Sequence, residues 1–258
     1  MKRLKIGVIA LALALLSPFG AKEPATVPDD VPVGSESQLA RGQREPASSG
    51  SQLVRDLQEP AGGMRFTEDP QAMEQAAGSV VMLEIYDGQG KKLRTGSGFC
   101  AFEPGLLVTA AHVITNMEYA VATCDNGDTF RVDHVIVADE ESDVAICAVP
   151  EDVKMTPLEA VTGDFKRGEK AVAIGSQFGI VNLITLGNIC GSFEMTDVTW
   201  ILFTAPVSSG SSGGPVLNDE GKVMGITAGA YDKGQNMNLA APISTAKELY
   251  REINAEVK

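Results

Sequence analysis

Histidine is almost missing from this chain: its 258 residues contain two, His112 and His134, with a single tryptophan and four cysteines. Cys100, Cys124, Cys147 and Cys190 are too widely spaced to form the paired-ligand hook of a zinc site, and two histidines do not make up the shortfall, so no metal and no cofactor is expected. Four cysteines allow three full pairings, and the sequence does not choose among these and free thiols. Positive charge is also scarce. Lys and Arg number 21 against 34 Asp and Glu, a net charge of −13, and beyond the first five residues they form no cluster. A nucleic-acid partner is therefore not expected.

Long apolar runs are lacking as well. The stretch 6–16 follows Lys2, Arg3 and Lys5 and precedes the small residues "SPFGA". It falls short of the ~20 residues that a spanning helix needs. A basic start, a short apolar core and a small-residue site describe a signal peptide over residues 1–21. The expected localisation is export, periplasmic or secreted, with an uncleaved N-terminal membrane anchor as the lesser reading. Residues 22–63 are rich in Pro, Ser, Gln, Glu and Gly and contain a 14-residue tandem repeat, "SESQLARGQREPA" returning as "SGSQLVRDLQEPA". Two copies cannot stack into a solenoid. With so little to bury, the segment reads as a disordered linker or pro-segment, and its "SSGS" run belongs to it.

The rest, residues 64–258, carries a different pattern. "TEDPQAMEQAAG" reads as a short helix with a polar cap, Pro70 in its first turn and Gly78 as its stop. About ten short β-branched or apolar runs follow, from "SVVMLEIYD" to "MNLAAPI". With no long helices between them, they predict an all-β domain, an antiparallel sandwich or pair of barrels. A C-terminal helix closes the chain, with Thr245 and Glu248 as a capping box and Ala246, Leu249, Ile253 and Val257 as its apolar face. The cysteines fall in apolar strands and read as small buried hydrophobes; Trp200 reads as core or pocket rim.

Gly210-Ser211-Ser212-Gly213-Gly214 fits the G-x-S-x-G nucleophile elbow of α/β-hydrolases. In that fold the histidine follows the serine, whereas both histidines here precede Ser212. The order His, Asp, Ser is instead the chymotrypsin-like one. A weakly nucleophilic hydroxyl needs an imidazole to take its proton, and the imidazole needs a carboxylate to fix its tautomer. His112 ends the run "VTAAHVI" and Asp143 opens "DVAICAV". Asp139, Glu140 and Glu141 read as a solvated turn, and His134 as an ordinary strand residue. Glycines around Ser212 permit a tight turn whose free N–H groups, from Gly210 and Ser212, are candidates for an oxyanion hole.

These blocks together resemble the HtrA (DegP-like) serine proteases: "GSGFC…LLVTAAHV", "SDVAIC", "AIGSQFGIVNLITLGNICG", "GSSGGPVLNDEGKVMGI" and "NLAAPI", covering roughly residues 69–258. The resemblance implies a chymotrypsin-like fold of two six-stranded antiparallel β-barrels, with the short N-terminal helix and the C-terminal helix beside them. It implies a serine endopeptidase acting on protein or peptide substrates, with catalytic His112, Asp143 and Ser212 and oxyanion donors Gly210 and Ser212. Pro206, Ala228, Gly229 and Ala230 are then the pocket walls, and the lack of an acid among them implies small or medium apolar side chains at the cleaved bond. Assembly as a homo-oligomer, a trimer, is a further implication. Activity in such a mechanism falls at acid pH as the imidazole is protonated. The sequence departs from the family at Ser211, in place of Asn, and at Thr204, in place of the usual Asp, and leaves no room for a PDZ domain after the closing helix. Two rivals stay open: a catalytically silent protease-fold binding module or scaffold, and an esterase or a protease of a neighbouring chymotrypsin-like family.

Overall fold

Strands follow one another with few helices between them. The computed structural model describes residues 65–256, apart from 196 and 232–235. The expectations for the signal peptide and the repeat segment lie outside the described residues, as does Val257.

The first seven strands are β1 (Val80–Tyr86), β2 (Lys92–Cys100), β3 (Leu106–Thr109), β4 (Tyr119–Cys124), β5 (Thr129–Val132), β6 (Val135–Asp139) and β7 (Val144–Ala148). They form one antiparallel sheet in the order β5-β4-β1-β2-β3-β7-β6. The two edges, β5 and β6, are consecutive in the chain and separated only by Asp133 and His134. A sheet whose opposite edges are joined by two residues must curl until those edges approach. Counted as one bent strand, β5 and β6 return the expected six. The corner also moves His134 out of the strand interior, where the alternation had put it, to an exposed position between strands.

The second set comprises β8 (Lys170–Gly175), β9 (Leu183–Met195), β10 (Val198–Phe203), β11 (Pro215–Leu217), β12 (Val223–Ala230) and β13 (Asn238–Pro242). These close into a barrel in the order β10-β13-β12-β11-β8-β9, which leaves no free edge to pair with another chain.

Alternation along the strands sorts the apolar residues into three cores. Val81, Leu83, Ile85, Leu107 and Cys147 fill the curled sheet. Ala171, Ala173, Ile201, Phe203 and Val216 fill the barrel. The third core is shared, packing Val80, Phe99, Val108 and Ile146 of the sheet against Val172, Ile174, Leu217 and Ile226 of the barrel. Burying large side chains from both halves contributes on the order of 1.5–3 kcal/mol for each Val, Ile, Leu or Phe, so the seam between them is built as firmly as either interior.

Helix α1 (Pro70–Ala77) starts as the sequence suggests: Asp69 accepts from the Gln71 and Ala72 N–H groups, with Pro70 in the first turn. Helix α2 is the short turn Ala111–Ile114, and α3 spans Ile243–Glu256. Helix α3 begins directly from β13, two residues before the expected cap, so Thr245 sits inside its first turn. Ala246 is fully buried in the shared core, with Leu249 and Ile253 packed beside it. No helix among the described residues is long and apolar enough to cross a membrane.

Candidate active site

His112 was expected at the end of a strand. The strand β3 in fact stops at Thr109, and the chain winds into α2 with Ala110 at its N-cap. Ala110 offers no side-chain acceptor for the N–H groups of the first turn, and Asp143 supplies one from another element. Its Oδ1 accepts from the His112 main-chain N–H at 2.8 Å, and its Oδ2 lies 2.7 Å from His112 Nδ1. Both carboxylate oxygens are thus committed to one residue. This fixes the imidazole in position, puts its proton on Nδ1 and leaves Nε2 as a base. Asp143 reaches this position from the turn before β7 through a left-handed backbone (φ 56°), which Asp adopts more readily than most residues.

Ser212 belongs to the turn between β10 and β11, and backbone bonds fix nearly every peptide of it. The Ser211 N–H donates to Ser208 O at 3.0 Å, Gly213 N–H to Thr227 O at 2.7 Å and Gly214 N–H to Ser211 O at 3.0 Å. The Ser209 carbonyl accepts from the Phe178 N–H at 2.8 Å. A trans peptide points its N–H opposite to its C=O. Binding the carbonyls of Ser209 and Ser211 therefore turns the Gly210 and Ser212 N–H groups the other way, and among the described residues neither meets an acceptor. Gly210 has φ 101°, and a Cβ there would lie 2.2 Å from the Ser176 carbonyl oxygen, so only glycine fits.

The Ser212 hydroxyl donates to the Ala228 carbonyl at 3.1 Å and makes no hydrogen bond with His112. Ala228 is the extra residue of a bulge in β12, between Thr227, which pairs with Ala240, and Gly229, which pairs with Leu239. The bulge is what turns its carbonyl toward the serine. The neighbouring Ser211 is buried, and its hydroxyl is tied to Ser208, donating to the carbonyl at 2.9 Å and accepting from the N–H at 3.1 Å.

The remaining sequence candidates lie on the loops and strand beside this turn. Pro206 presents its carbonyl to Thr185 Oγ1 at 2.7 Å and to Gln177 Nε2 at 3.2 Å. Ala228, Gly229 and Ala230 end β12. Thr204, where the family usually has Asp, ties β9 to the loop after β10: its Oγ1 accepts from the Asn188 N–H at 2.9 Å. Asn238, which opens the block "NLAAPI" but was not itself expected at the site, pairs with Ala230, is buried, and donates to the Ala205 carbonyl at 2.7 Å. Ser97 was not expected there either; its N–H donates to the Ser212 carbonyl at 2.7 Å.

Among the described residues no three His, Cys, Asp or Glu side chains gather closely enough to hold a metal ion. All four cysteines are free thiols. Cys100 and Cys147 are buried as expected, whereas Cys124 is half-buried and Cys190 exposed, because the bulge between Ile189 and Gly191 in β9 leaves Cys190 without a cross-strand partner on β10.

Residues 96–226, which contain the His112–Asp143 pair and the Ser212 turn, match the trypsin-like peptidase domain. The chain belongs to that family. Its relatives place the peptidase in the HtrA type with a chymotrypsin fold. It is 30% identical over 191 residues to the mitochondrial serine protease HTRA2 of Bos taurus, covering 68% of this chain and 41% of that one. To the anti-sigma-I factor RsgI9 of Acetivibrio thermocellus it is 32% identical over 178 residues, covering 68% of this chain and 25% of the relative. The peptidase chain thus spans well under half of either relative. In structure it resembles the HtrA-type protease AlgW with tripeptide (TM-score 0.63, 23% identity, 70% of this chain and 62% of that one). A serine endoprotease from Yersinia pestis superposes similarly (TM-score 0.62, 22% identity, 72% of this chain and 68% of that one).

Proposed function

We propose that the chain is an exported serine endopeptidase that cleaves proteins or peptides through an acyl-enzyme. Ser212 Oγ attacks the scissile carbonyl, His112 Nε2 takes its proton and returns it to the leaving amine, and Asp143 holds Nδ1. The Gly210 and Ser212 N–H groups receive the oxyanion, each donor worth on the order of 10²–10³ in rate. The observation that carries this reading is the two-point grip of Asp143 on His112. A merely structural histidine needs no fixed tautomer with its second nitrogen left as a base. In this reading the Ser212 hydroxyl leaves the Ala228 carbonyl for Nε2 when substrate binds.

Pro206, Ala228, Gly229 and Ala230 bring no carboxylate to the primary pocket, and Asn238 spends its amide on Ala205. The reading therefore includes a preference for small to medium apolar side chains, with a methylene worth ~1–3 kcal/mol of discrimination. Export is supported by the basic start and apolar run of residues 1–21, and N-terminal sequencing of the mature protein tests it. Assembly as a trimer is carried over from the HtrA resemblance alone, and light scattering on the purified protein tests it.

The second reading, a silent binding module, is favoured by one observation: the Ser212 hydroxyl rests on Ala228 instead of His112. A fluorophosphonate probe separates the two. Labelling that survives Ser211→Ala and disappears in Ser212→Ala supports the peptidase. If wild-type protein takes no label, with or without peptide substrates present, the binding module stands.

A further inference from the structure

Ser97, near the end of β2, is fully buried and uses every polar group it has at the seam between the two halves. Its main-chain N–H donates to the Ser212 carbonyl at 2.7 Å. Its carbonyl accepts from Thr109 Oγ1 at 2.7 Å, one residue before the N-cap of the helix that carries His112. Its hydroxyl accepts from the Ser176 N–H at 2.9 Å and donates to the Gly210 carbonyl at 2.7 Å. One hydroxyl proton, directed at Gly210, and one lone pair, occupied by Ser176, leave no freedom in how that hydroxyl turns.

The Gly210 carbonyl belongs to the peptide between the two that carry the Gly210 and Ser212 N–H groups. Both neighbours have their carbonyls held, by Phe178 and by Gly214. The Ser97 hydroxyl holds the middle one, so three successive peptides are fixed. Without it, this peptide keeps only the bond at its other end, from the Ser211 N–H to the Ser208 carbonyl at 3.0 Å, and its carbonyl can swing about the left-handed Gly210, because glycine meets little barrier between its two halves of φ. The surroundings leave no space for another group to take over: a Cβ on Gly175 would come within 3.2 Å of Ser97 Oγ, and one on Gly213 within 2.1 Å of the Ser97 carbonyl.

We infer that Ser97 is a positioning residue of the oxyanion site, setting the direction of the Gly210 and Ser212 N–H groups through its hydroxyl bond to the Gly210 carbonyl. This rests on the peptidase reading above. The residue touches no reacting atom. It acts on the transition state more than on the bound substrate, because it orders donors that are needed only when charge develops on the carbonyl oxygen.

The test compares wild type and Ser97→Ala in hydrolysis of a peptide ester with an apolar residue at the cleaved bond. It also compares binding of a peptide aldehyde, whose adduct with Ser212 places an oxyanion in the site, with binding of the matching peptide alcohol, which places none. For Ser97→Ala, kcat should fall on the order of 10–100-fold with KM changed less than about twofold. Aldehyde affinity should fall with kcat while alcohol affinity holds. An unchanged kcat, or an equal loss of aldehyde and alcohol binding, would overturn the inference, the second because it reports a generally damaged site. If the alanine variant yields no cooperative thermal transition, Ser97→Cys keeps the shape and replaces a strong donor by a weak one, and the same split between kcat and KM decides. Wild-type protein that neither hydrolyses the ester nor takes a fluorophosphonate overturns the peptidase reading along with this one. Active wild type with an equally active Ser97→Ala overturns this one alone.

Discussion

The guanidinium of Arg94 on β2 donates to the His112 carbonyl at 3.2 Å. The same Nη1 reaches the carbonyls of Val113 at 3.1 Å and Thr115 at 2.6 Å. A four-residue helix cannot satisfy its own C-terminal carbonyls, and a fixed cation there also suits the helix dipole. Arg94→Met should therefore lower stability by about 1–2 kcal/mol, read by thermal melting, and lower kcat severalfold by loosening the turn that holds the imidazole. Arg94→Lys should restore part of each, since an ammonium carries the charge without the planar fork. A variant with wild-type melting and wild-type kcat contradicts the role given to this contact.

Asp143 grips both ends of His112, and the two contacts can be separated. Asp143→Asn keeps an acceptor oxygen but offers only one, so it cannot serve the main-chain N–H and the Nδ1–H together. The other tautomer, with the proton on Nε2, then becomes available and blocks the base. Turnover should fall on the order of 10³–10⁴-fold with little change in KM, and the loss should not be recovered at higher pH. A drop below tenfold would show that the tautomer is fixed by something else.

Asn182 joins the barrel to the start of β1. Its Nδ2 donates to the carbonyls of Ala77 at 3.0 Å and Val80 at 2.8 Å from a left-handed backbone, φ 50°. Asn182→Ala removes both bonds from a buried site and puts alanine where asparagine is better tolerated. The expected cost is about 2–4 kcal/mol, measured by denaturant unfolding. Asn182→Gly relieves the backbone part and should be the milder of the two.

The thiols should sort by burial. Burial pushes the Cys147 thiol up to about 12 and the Cys100 thiol up to about 11. Cys124 is raised as well, chiefly by burial and then by Asp128 and Asp125. Because the thiolate is the reactive form, these three stay protonated and slow across neutral pH. In native protein a thiol reagent at pH 7–8 should modify exposed Cys190 first and reach Cys100 and Cys147 only on unfolding. Mass spectrometry of the alkylated peptides reads the order, and early modification of Cys147 would contradict the packing of the curled sheet.

Gly187 on β9 has no warning in the sequence, yet a Cβ there would lie 2.1 Å from the Ala205 main-chain nitrogen. Gly187→Ala must push the loop that carries Ala205 and Pro206 off the barrel. A loss of roughly 3 kcal/mol corresponds to about 6–12 °C in Tm for a domain of this size, with a change in preference for the residue at the cleaved bond. An unaltered cleavage pattern on a peptide library would separate that loop from specificity.

The parts of the site legible in the sequence are those whose chemistry is local. Ser212 is announced by its glycines, His112 by "TAAH" and Asp143 by its place before a core strand. Even there the local shape around His112 is not legible, because Thr109–Ile114 is a short, mostly apolar run and such a run does not distinguish a strand from a turn of helix. Ser97, Arg94, Asn182 and Asn238 escaped notice for a different reason. Each looks like an ordinary polar residue in its own segment, and each acquires its role from a carbonyl far along the chain: Ser97 and Gly210 are 113 residues apart. The bend at Asp133 and His134 was hidden because no glycine or proline marks it.

Near its beginning, the described chain makes a 3₁₀ turn, Phe66–Glu68, and fastens it to the hairpin between β11 and β12. The Phe66 N–H donates to the Asp219 carbonyl at 3.1 Å, Thr67 Oγ1 to the Asp219 carboxylate, and the Phe66 ring lies against Gly221. Thr67 is translated 152 residues ahead of the aspartate that receives it. During synthesis from the N-terminus, this fastening cannot form until β11, β12 and the turn between them have emerged. The first described segment of the chain is therefore among the last to settle, and a nascent chain stopped before Asp219 keeps that segment open to proteases however far the curled sheet has folded.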